Sequence, residues 1–304
     1  MVRQTYTVPE PKPRGTSSTG VTRYGPAGAG IWSSPVIDTK RGVAYAATAN
    51  TYADPQLPTS DAVIAFDLAT GKIKWTRQVT PKDVWIATCV TGSTNPNCPE
   101  ESGGDFDFGN APILTTLRNR RDVIVIGQKS GVGYALDPTA EGEILWQYRA
   151  GVGSTLGGME WGSAVDGENV YLPVSDMNTP APGGLHAVDL MTGRRKRMAP
   201  PVTPKCASEP GCSAAQSAAI TVIPGLVFSG ANDGVLRAYS TKDGSVVWQF
   251  DTNGEFHTVN GVPAKGASMI GPGPVIVGGM LFVNSGYAGF GGRQGNALLA
   301  LGLE

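Results

Sequence analysis

Seven residues of this chain have side chains that could do chemistry together: Trp32, Asn50, Asp107, Lys129, Glu160, Trp161 and Asn284. An aspartate carboxylate beside an asparagine carbonyl offers two hard oxygen ligands to Ca²⁺, which takes about six to eight, so a ligand would have to supply others. A lysine ammonium can hold a ketone or carboxylate oxygen, and two indoles offer flat apolar faces to an aromatic ring. The ligand this set implies is planar, rich in oxygen and anionic, and it comes with a metal ion. Any one of these residues alone reads as an ordinary rim or turn residue. Their common placement, at the two kinds of strand end described next, is what favours a site.

The elements that must position them repeat along the chain. AVIAFDLATGKIKW from Ala62, GYALDPTAEGEILW from Gly133, LHAVDLMTGRRKR from Leu185 and VLRAYSTKDGSVVW from Val235 are variants of one phrase, and Asn296–Leu303 begins a fifth. In each copy a short apolar strand enters a turn of the D-x-x-T-G type, and a second strand follows that ends at Trp in three of the copies. Ahead of each copy stands a second hairpin, starting at Ser34, Ala111, Gly162, Ala218 and Gly273. Two hairpins per repeat, at a period near fifty residues, predict an all-β propeller of about five four-stranded blades, preceded by an inter-blade linker over residues 1–27. The turn residues Thr70, Gly71, Thr192, Gly193 and Gly244 and the closing Trp75, Trp146 and Trp248 are read as structural. With the strands of a blade named A to D outward from the axis, the start of A and the end of B share one rim. Trp32, Asp107, Glu160 and Trp161 fall at or before starts of A, and Asn50, Lys129 and Asn284 fall at ends of B. All seven are therefore expected around one mouth of the central channel.

Composition narrows the function classes. With 42 Gly and 23 Pro among 304 residues, the chain suits short strands and tight turns. A net charge of −1 and no long basic run exclude a nucleic-acid footprint, and Arg194–Arg197 reads as a solvated blade edge. No apolar run is long enough for a helical membrane span. Cys89 with Cys98 and Cys206 with Cys212 form two close pairs; local disulfides are the first reading and imply an oxidising compartment, and zinc is the rival. Residues 1–15 are polar and Pro-rich rather than signal-like.

The D-x-x-T-G-x-x-x-W phrase resembles the tryptophan-docking repeat of PQQ-dependent quinoprotein alcohol dehydrogenases, from Gly28 to nearly the end of the chain. The order of motifs is more specific. Trp32 and Asn50 stand eighteen apart, with Asn50 in YAATANTY; in the family a Trp that stacks on PQQ and an Asn that ligates Ca²⁺ are so spaced. Phe106-Asp107-Phe108-Gly109 is similar to the segment that carries the family's catalytic base, Gln128-Lys129-Ser130-Gly131 to a turn near the quinone oxygens, and Gly157-Gly158-Met159-Glu160-Trp161 to an Asn-Trp pair after Gly-Gly. Glu160 departs from that Asn, and a carboxylate beside an anionic quinone needs a cation or a proton.

TSDAVIAFDL, DFDFG, GQKSG, GCSAAQSAA and VNSGYAGFGG resemble the polyvinyl alcohol dehydrogenase branch. The resemblance implies an eight-bladed propeller of which this chain holds the C-terminal part, with a calcium-ligating Glu, an adjacent-Cys disulfide and a PQQ-binding Arg lying in blades outside it. It implies PQQ and Ca²⁺ as cofactors, Asp107 as base, Asn50 and Asp107 as metal ligands, and Trp32, Lys129, Glu160, Trp161 and Asn284 around the quinone. A secondary, polymeric alcohol is the implied substrate, cytochrome c the electron acceptor and the periplasm the compartment. No C-x-x-C-H occurs that would bind haem covalently. The competing class is a non-catalytic propeller that binds protein partners by its rim.

Overall fold

Each repeated phrase folds as the third and fourth strands of a small antiparallel sheet. The computed structural model describes residues 3–89, 93–96, 98–99, 102–206, 208–287 and 289–302, and no helix occurs among them. Blade 1 consists of Val36–Asp38, Val43–Ala47, Ala62–Asp67 and Ile73–Gln78; blade 2 of Ile113–Thr116, Asp122–Gly127, Val132–Asp137 and Glu143–Arg149. Blade 3 consists of Ala164–Val165, Asn169–Pro173, Leu185–Asp189 and Arg195–Ala199; blade 4 of Thr221–Ile223, Leu226–Gly230, Val235–Ser240 and Val246–Asp251. Blade 5 has three strands, Val275–Val277, Met280–Ser285 and Ala297–Gly302. All five A/B hairpins read from the sequence are present. Within residues 1–27, Lys12–Thr16 and Thr22–Gly25 form an additional hairpin.

The turn phrase works as its residue types dictate. Asp67 Oδ1 accepts the Thr70 N–H at 2.7 Å and the Thr70 hydroxyl at 2.8 Å, and Asp189 holds Thr192 in the same way. The glycine that follows is left-handed, with φ of 73° at Gly71 and 68° at Gly193, which a side chain resists. The bare glycine also admits the indole of the preceding blade. A Cβ on Gly142 would lie 2.7 Å from Trp75, and one on Gly193 would lie 2.7 Å from Trp146. The Trp146 Nε1 donates to Leu190 O at 2.9 Å, so the buried indole has its polar atom satisfied.

Apolar strand faces meet between blades rather than within them. Tyr45, Val63 and Ala65 of blade 1 pack on Ile124, Ile126 and Leu136 of blade 2, and three comparable clusters join the later blades. A ring of backbone hydrogen bonds binds the same interfaces at one rim. Within blades, the N–H groups of Ala49, Lys129, Ser175, Asn232 and Gly286 donate to the carbonyls of Gly30, Asp107, Gly158, Ala215 and Ser268. Between blades, Phe108, Met159, Gln216 and Met269 donate to Thr48, Gln128, Val174 and Ala231. These nine bonds fix equivalent positions in all five blades, and the candidate residues lie on or beside them.

Both cysteine pairs are disulfides, with Cα separations of 5.3 Å for Cys89–Cys98 and 5.8 Å for Cys206–Cys212.

Candidate active site

Asp107 and Lys129 are partners in the ring, since the Lys129 N–H donates to the Asp107 carbonyl. That bond points both side chains to one place. Asp107 Oδ1 accepts the backbone N–H of Asn50 at 2.7 Å, and its Oδ2 lies 3.6 Å from Lys129 Nζ. Lys129 Nζ also donates to Asp105 Oδ2 at 3.1 Å and stands 5.4 Å from the centroid of Trp32. Trp32 meets Trp161 edge to face at 5.3 Å. Gly109 makes room for this arrangement, because a Cβ there would lie 2.3 Å from Trp32 Cη2. Residues 32 to 161 thus converge on one mouth, beside a cavity of about 350 Å³ lined in part by Trp32, Gly109, Trp161 and Tyr287.

Asn50 is buried, and its amide Nδ2 donates to Thr51 O and Trp85 O at 2.8 and 2.9 Å. This orientation fixes the amide and leaves Oδ1 accepting no hydrogen bond among the described residues. Among the described residues, buried Glu160 has no partner for its Oε1, and Trp161 Nε1 is likewise buried without one. Buried polar atoms of this kind are costly unless something satisfies them.

Asn284 lies elsewhere. The ring position of blade 5 is Gly286, so Asn284 sits two residues short of the rim, within its strand and paired with Leu298. Among the described residues no hydrogen bond, ion pair or ring contact joins Asn284 to the cluster. The reading of Asn284 as an end-of-B residue at the mouth is corrected accordingly.

Three further carboxylates belong to the site and were not singled out in the sequence. Asp83, brought by the loop after blade 1, accepts the N–H groups of Asp105 at 3.1 Å and Phe106 at 2.5 Å, and so shapes the segment that carries Asp105 and Asp107. Asp105 has φ of 60°. Asp61 is fully buried, and among the described residues both its carboxylate oxygens lack partners. Only the doubled aspartate of DFDFG hinted at Asp105, and nothing in the apolar run that follows Asp61 marks it.

Asp105 and Asp107 lie against the ammonium of Lys129 and Glu160 acts on it through its charge, while Asp61 and Asp83 act on the same aspartates. Burial pulls Lys129 down, but the charges of Asp107, Asp105 and Glu160 outweigh it and hold the ammonium protonated. Burial pushes Asp105 up to about 7 despite Lys129, and Glu160 also to about 7. Asp61 is pushed up to about 9 by burial and then by the charges of Asp83 and Asp107. The site holds several carboxyl groups poised to take a proton or to welcome a cation.

Asp61 gives a stability test. Its carboxyl ionises at the ordinary aspartate value in the unfolded chain but keeps its proton to about 9 when folded. The folded state therefore binds more protons across that window, and stability falls as pH rises through it. Asp61→Asn is expected to remove this part of the slope, read from urea midpoints across the window. A slope as steep as that of the parent would show that Asp61 is not held neutral.

Such a series of blades, with a polar cluster at one mouth and indoles on turn glycines, has the architecture of a PQQ-type β-propeller. Residues 5–150 match the β-propeller domain family of PQQ glucose/ethanol/alcohol dehydrogenases. The polyvinylalcohol dehydrogenase of a Pseudomonas species is 45% identical over 314 residues, which cover 99% of this chain and 49% of that protein. The polyvinylalcohol dehydrogenase of Sphingopyxis sp. (strain 113P3) is 39% identical over 313 residues, 97% of this chain and 48% of that protein. The chain is similar to these relatives along nearly its whole length, and it spans about half the length of the curated relatives it matches. Among solved structures, the quinohemoprotein alcohol dehydrogenase of Comamonas testosteroni superposes with a TM-score of 0.62 at 17% identity, covering 90% of this chain and 48% of that one. A europium-containing methanol dehydrogenase gives 0.62 at 18% identity, covering 88% of this chain and 52% of the other. At such identities these two structures speak for the fold alone.

Proposed function

We propose that the cluster at the mouth is the working part of a PQQ- and calcium-dependent dehydrogenase that oxidises secondary hydroxyl groups of a polyvinyl alcohol-like substrate. The observation that carries this reading is the convergence of Asn50, Asp107, Lys129 and Trp32, brought together by the hydrogen-bonded ring.

The residues fit both groups. Buried carboxyl groups that outnumber the Lys129 ammonium favour a cation, and the Asn50 Oδ1, accepting no hydrogen bond among the described residues, is a hard neutral ligand beside Asp107. Among the described residues no three His, Cys, Asp or Glu side chains form a complete metal-binding group by themselves, so an ion held by Asn50 and Asp107 would draw further oxygens from its other ligands. Trp32 and Trp161 offer aromatic faces and an indole N–H, and Lys129 offers a positive charge, to a planar anionic quinone. PQQ, when bound, supplies the quinone that accepts a hydride.

The chain's own residues supply the rest. Asp107 Oδ2 takes the proton of the substrate hydroxyl, as a general base held in place by the Asn50 N–H. Lys129 stays charged and stabilises negative charge that develops within reach of its ammonium. Glu160, titrating near neutrality, can carry a proton or leave it, which meets the requirement that its departure from Asn creates. Cytochrome c is proposed as the electron acceptor and the periplasm as the compartment; the two disulfides support an oxidising environment. Among the described residues no helix is long and apolar enough to cross a membrane.

The direct test is oxidation of a secondary alcohol by the chain supplied with PQQ and Ca²⁺, coupled to a redox dye. Turnover above that of PQQ and Ca²⁺ without protein is expected, and none above that background would overturn the proposal.

A further inference from the structure

Beside the cluster, outside the residues already assigned a role, lies a groove of about 240 Å³ built from three segments. Arg14, Arg23 and Tyr24 come from the hairpin that precedes blade 1, Tyr52 from the strand Thr51–Ala53 and Asp54 from just after it, and Pro99 follows Cys98 of the Cys89–Cys98 disulfide. These walls are fixed against each other. Ala27 pairs with Ala53 and Gly28 with Thr51. A Cβ on Gly28 would lie 2.5 Å from Asn50 O, and one on Gly25 would lie 2.0 Å from Asp54 O. The hairpin is thus pressed onto the strand that begins one residue after Asn50.

Tyr52 joins the groove to the site. It is 47% exposed and stands two residues after Asn50, on the strand Thr51–Ala53 that pairs with Ala27–Gly28. Tyr24 is 56% exposed on the opposite wall. Among the described residues Arg14 and Arg23 make no hydrogen bond or ion pair, so their guanidinium donors are available.

We propose that this groove is a subsite for a neutral polyhydroxylated chain, seating the units that flank the hydroxyl presented to Asp107. The proposal rests on the alcohol-oxidising reading above and names where a polymer, as opposed to a single alcohol, is held. A chain of alternating methylene and hydroxyl-bearing carbons needs apolar faces and hydrogen-bonding groups in close alternation. Tyr24 and Tyr52 supply faces, Arg14 and Arg23 supply donors only, Asp54 supplies an acceptor, and the phenols do both. Arg14 and Arg23 outnumber Asp54, so an anionic chain is the competing occupant, and the polyacrylate arm below decides between the two.

The experiment titrates the full chain with a short poly(vinyl alcohol), with 2-pentanol, and with polyacrylate of matched length, and follows the intrinsic fluorescence. Tyr24→Ala and Arg23→Ala serve as variants, and a PQQ titration is run in parallel. Each variant is expected to weaken poly(vinyl alcohol) binding by about fivefold to tenfold, the loss of one aromatic or charged contact. Binding of 2-pentanol and of PQQ should stay unchanged, since neither variant touches the cluster. Equal polymer affinity in parent and variants would overturn the subsite, as would tighter binding of polyacrylate than of poly(vinyl alcohol). If the parent binds PQQ but no polymer, the subsite fails and the cofactor reading survives; if it binds polymer through Tyr24 and Arg23 but no PQQ, the subsite stands and the cofactor reading fails.

Discussion

Asp107→Asn is expected to lower alcohol turnover by about 100- to 10,000-fold, the range that a positioned general base contributes. The substitution keeps an acceptor oxygen for the Asn50 N–H, which Asp107 Oδ1 now accepts at 2.7 Å, so the mouth keeps its shape. It removes the basic oxygen, and the ammonium of Lys129 loses one of its carboxylates while retaining Asp105 at 3.1 Å. Turnover should therefore collapse while the protein unfolds at nearly the same urea concentration. Steady-state rates of the chain supplied with PQQ and Ca²⁺, read beside urea midpoints, separate the two effects. Turnover within a fewfold of the parent would remove Asp107 from the role of base.

Lys129→Met is the substitution with the largest expected effect on stability. The ammonium is only 9% exposed and faces Asp105 and Asp107, and methionine is close to its apolar stem in length. Removing one partner from a buried charged group costs about 3–5 kcal/mol, because the remaining charges are left uncompensated. The loss should depend on pH in a set direction. Asp105 and Glu160 ionise near 7 with Lys129 present, and without it their pKa values rise further. At pH values well below 7 these groups are protonated in the folded variant, and the penalty shrinks. Above neutrality the folded chain must either ionise them unpaired or hold protons that the unfolded chain releases, and the full penalty appears. Chemical denaturation at an acid and an alkaline pH measures this. A loss of equal size at both would show that Lys129 contributes packing rather than charge.

The sequence was most legible where chemistry and repetition coincide. The D-x-x-T-G turn announces itself because Asp67 and Thr70 bond locally and Gly71 must be left-handed, so the phrase carries its own geometry. Five copies mark out the hairpins, and the hairpins put Asp107 and Lys129 on one rim. The cysteine pairs were readable because nine- and six-residue separations close easily within loops.

Legibility failed where position depends on register or on a loop's path. Asn284 was placed at a strand end by analogy with Asn50, but a shift of two residues decides whether a side chain reaches the rim or stays within the blade. The ring bond from Gly286, not Asn284, marks that end in blade 5. Asp83 and Asp105 reach the site through the stretch between blades 1 and 2, which has no period to read. Asp61 is hidden for a different reason. A lone aspartate before an apolar strand resembles an exposed turn residue, and only the three-dimensional packing shows that both its oxygens are sealed from water.

The central claim is that these residues form a PQQ site, and equilibrium titration of PQQ into the chain with Ca²⁺ present tests it most directly. The account predicts saturable binding that requires the ion and weakens by about tenfold or more in Trp32→Ala, which removes the aromatic face beside Lys129. Binding that is absent in the parent, or equally strong in Trp32→Ala, would contradict it.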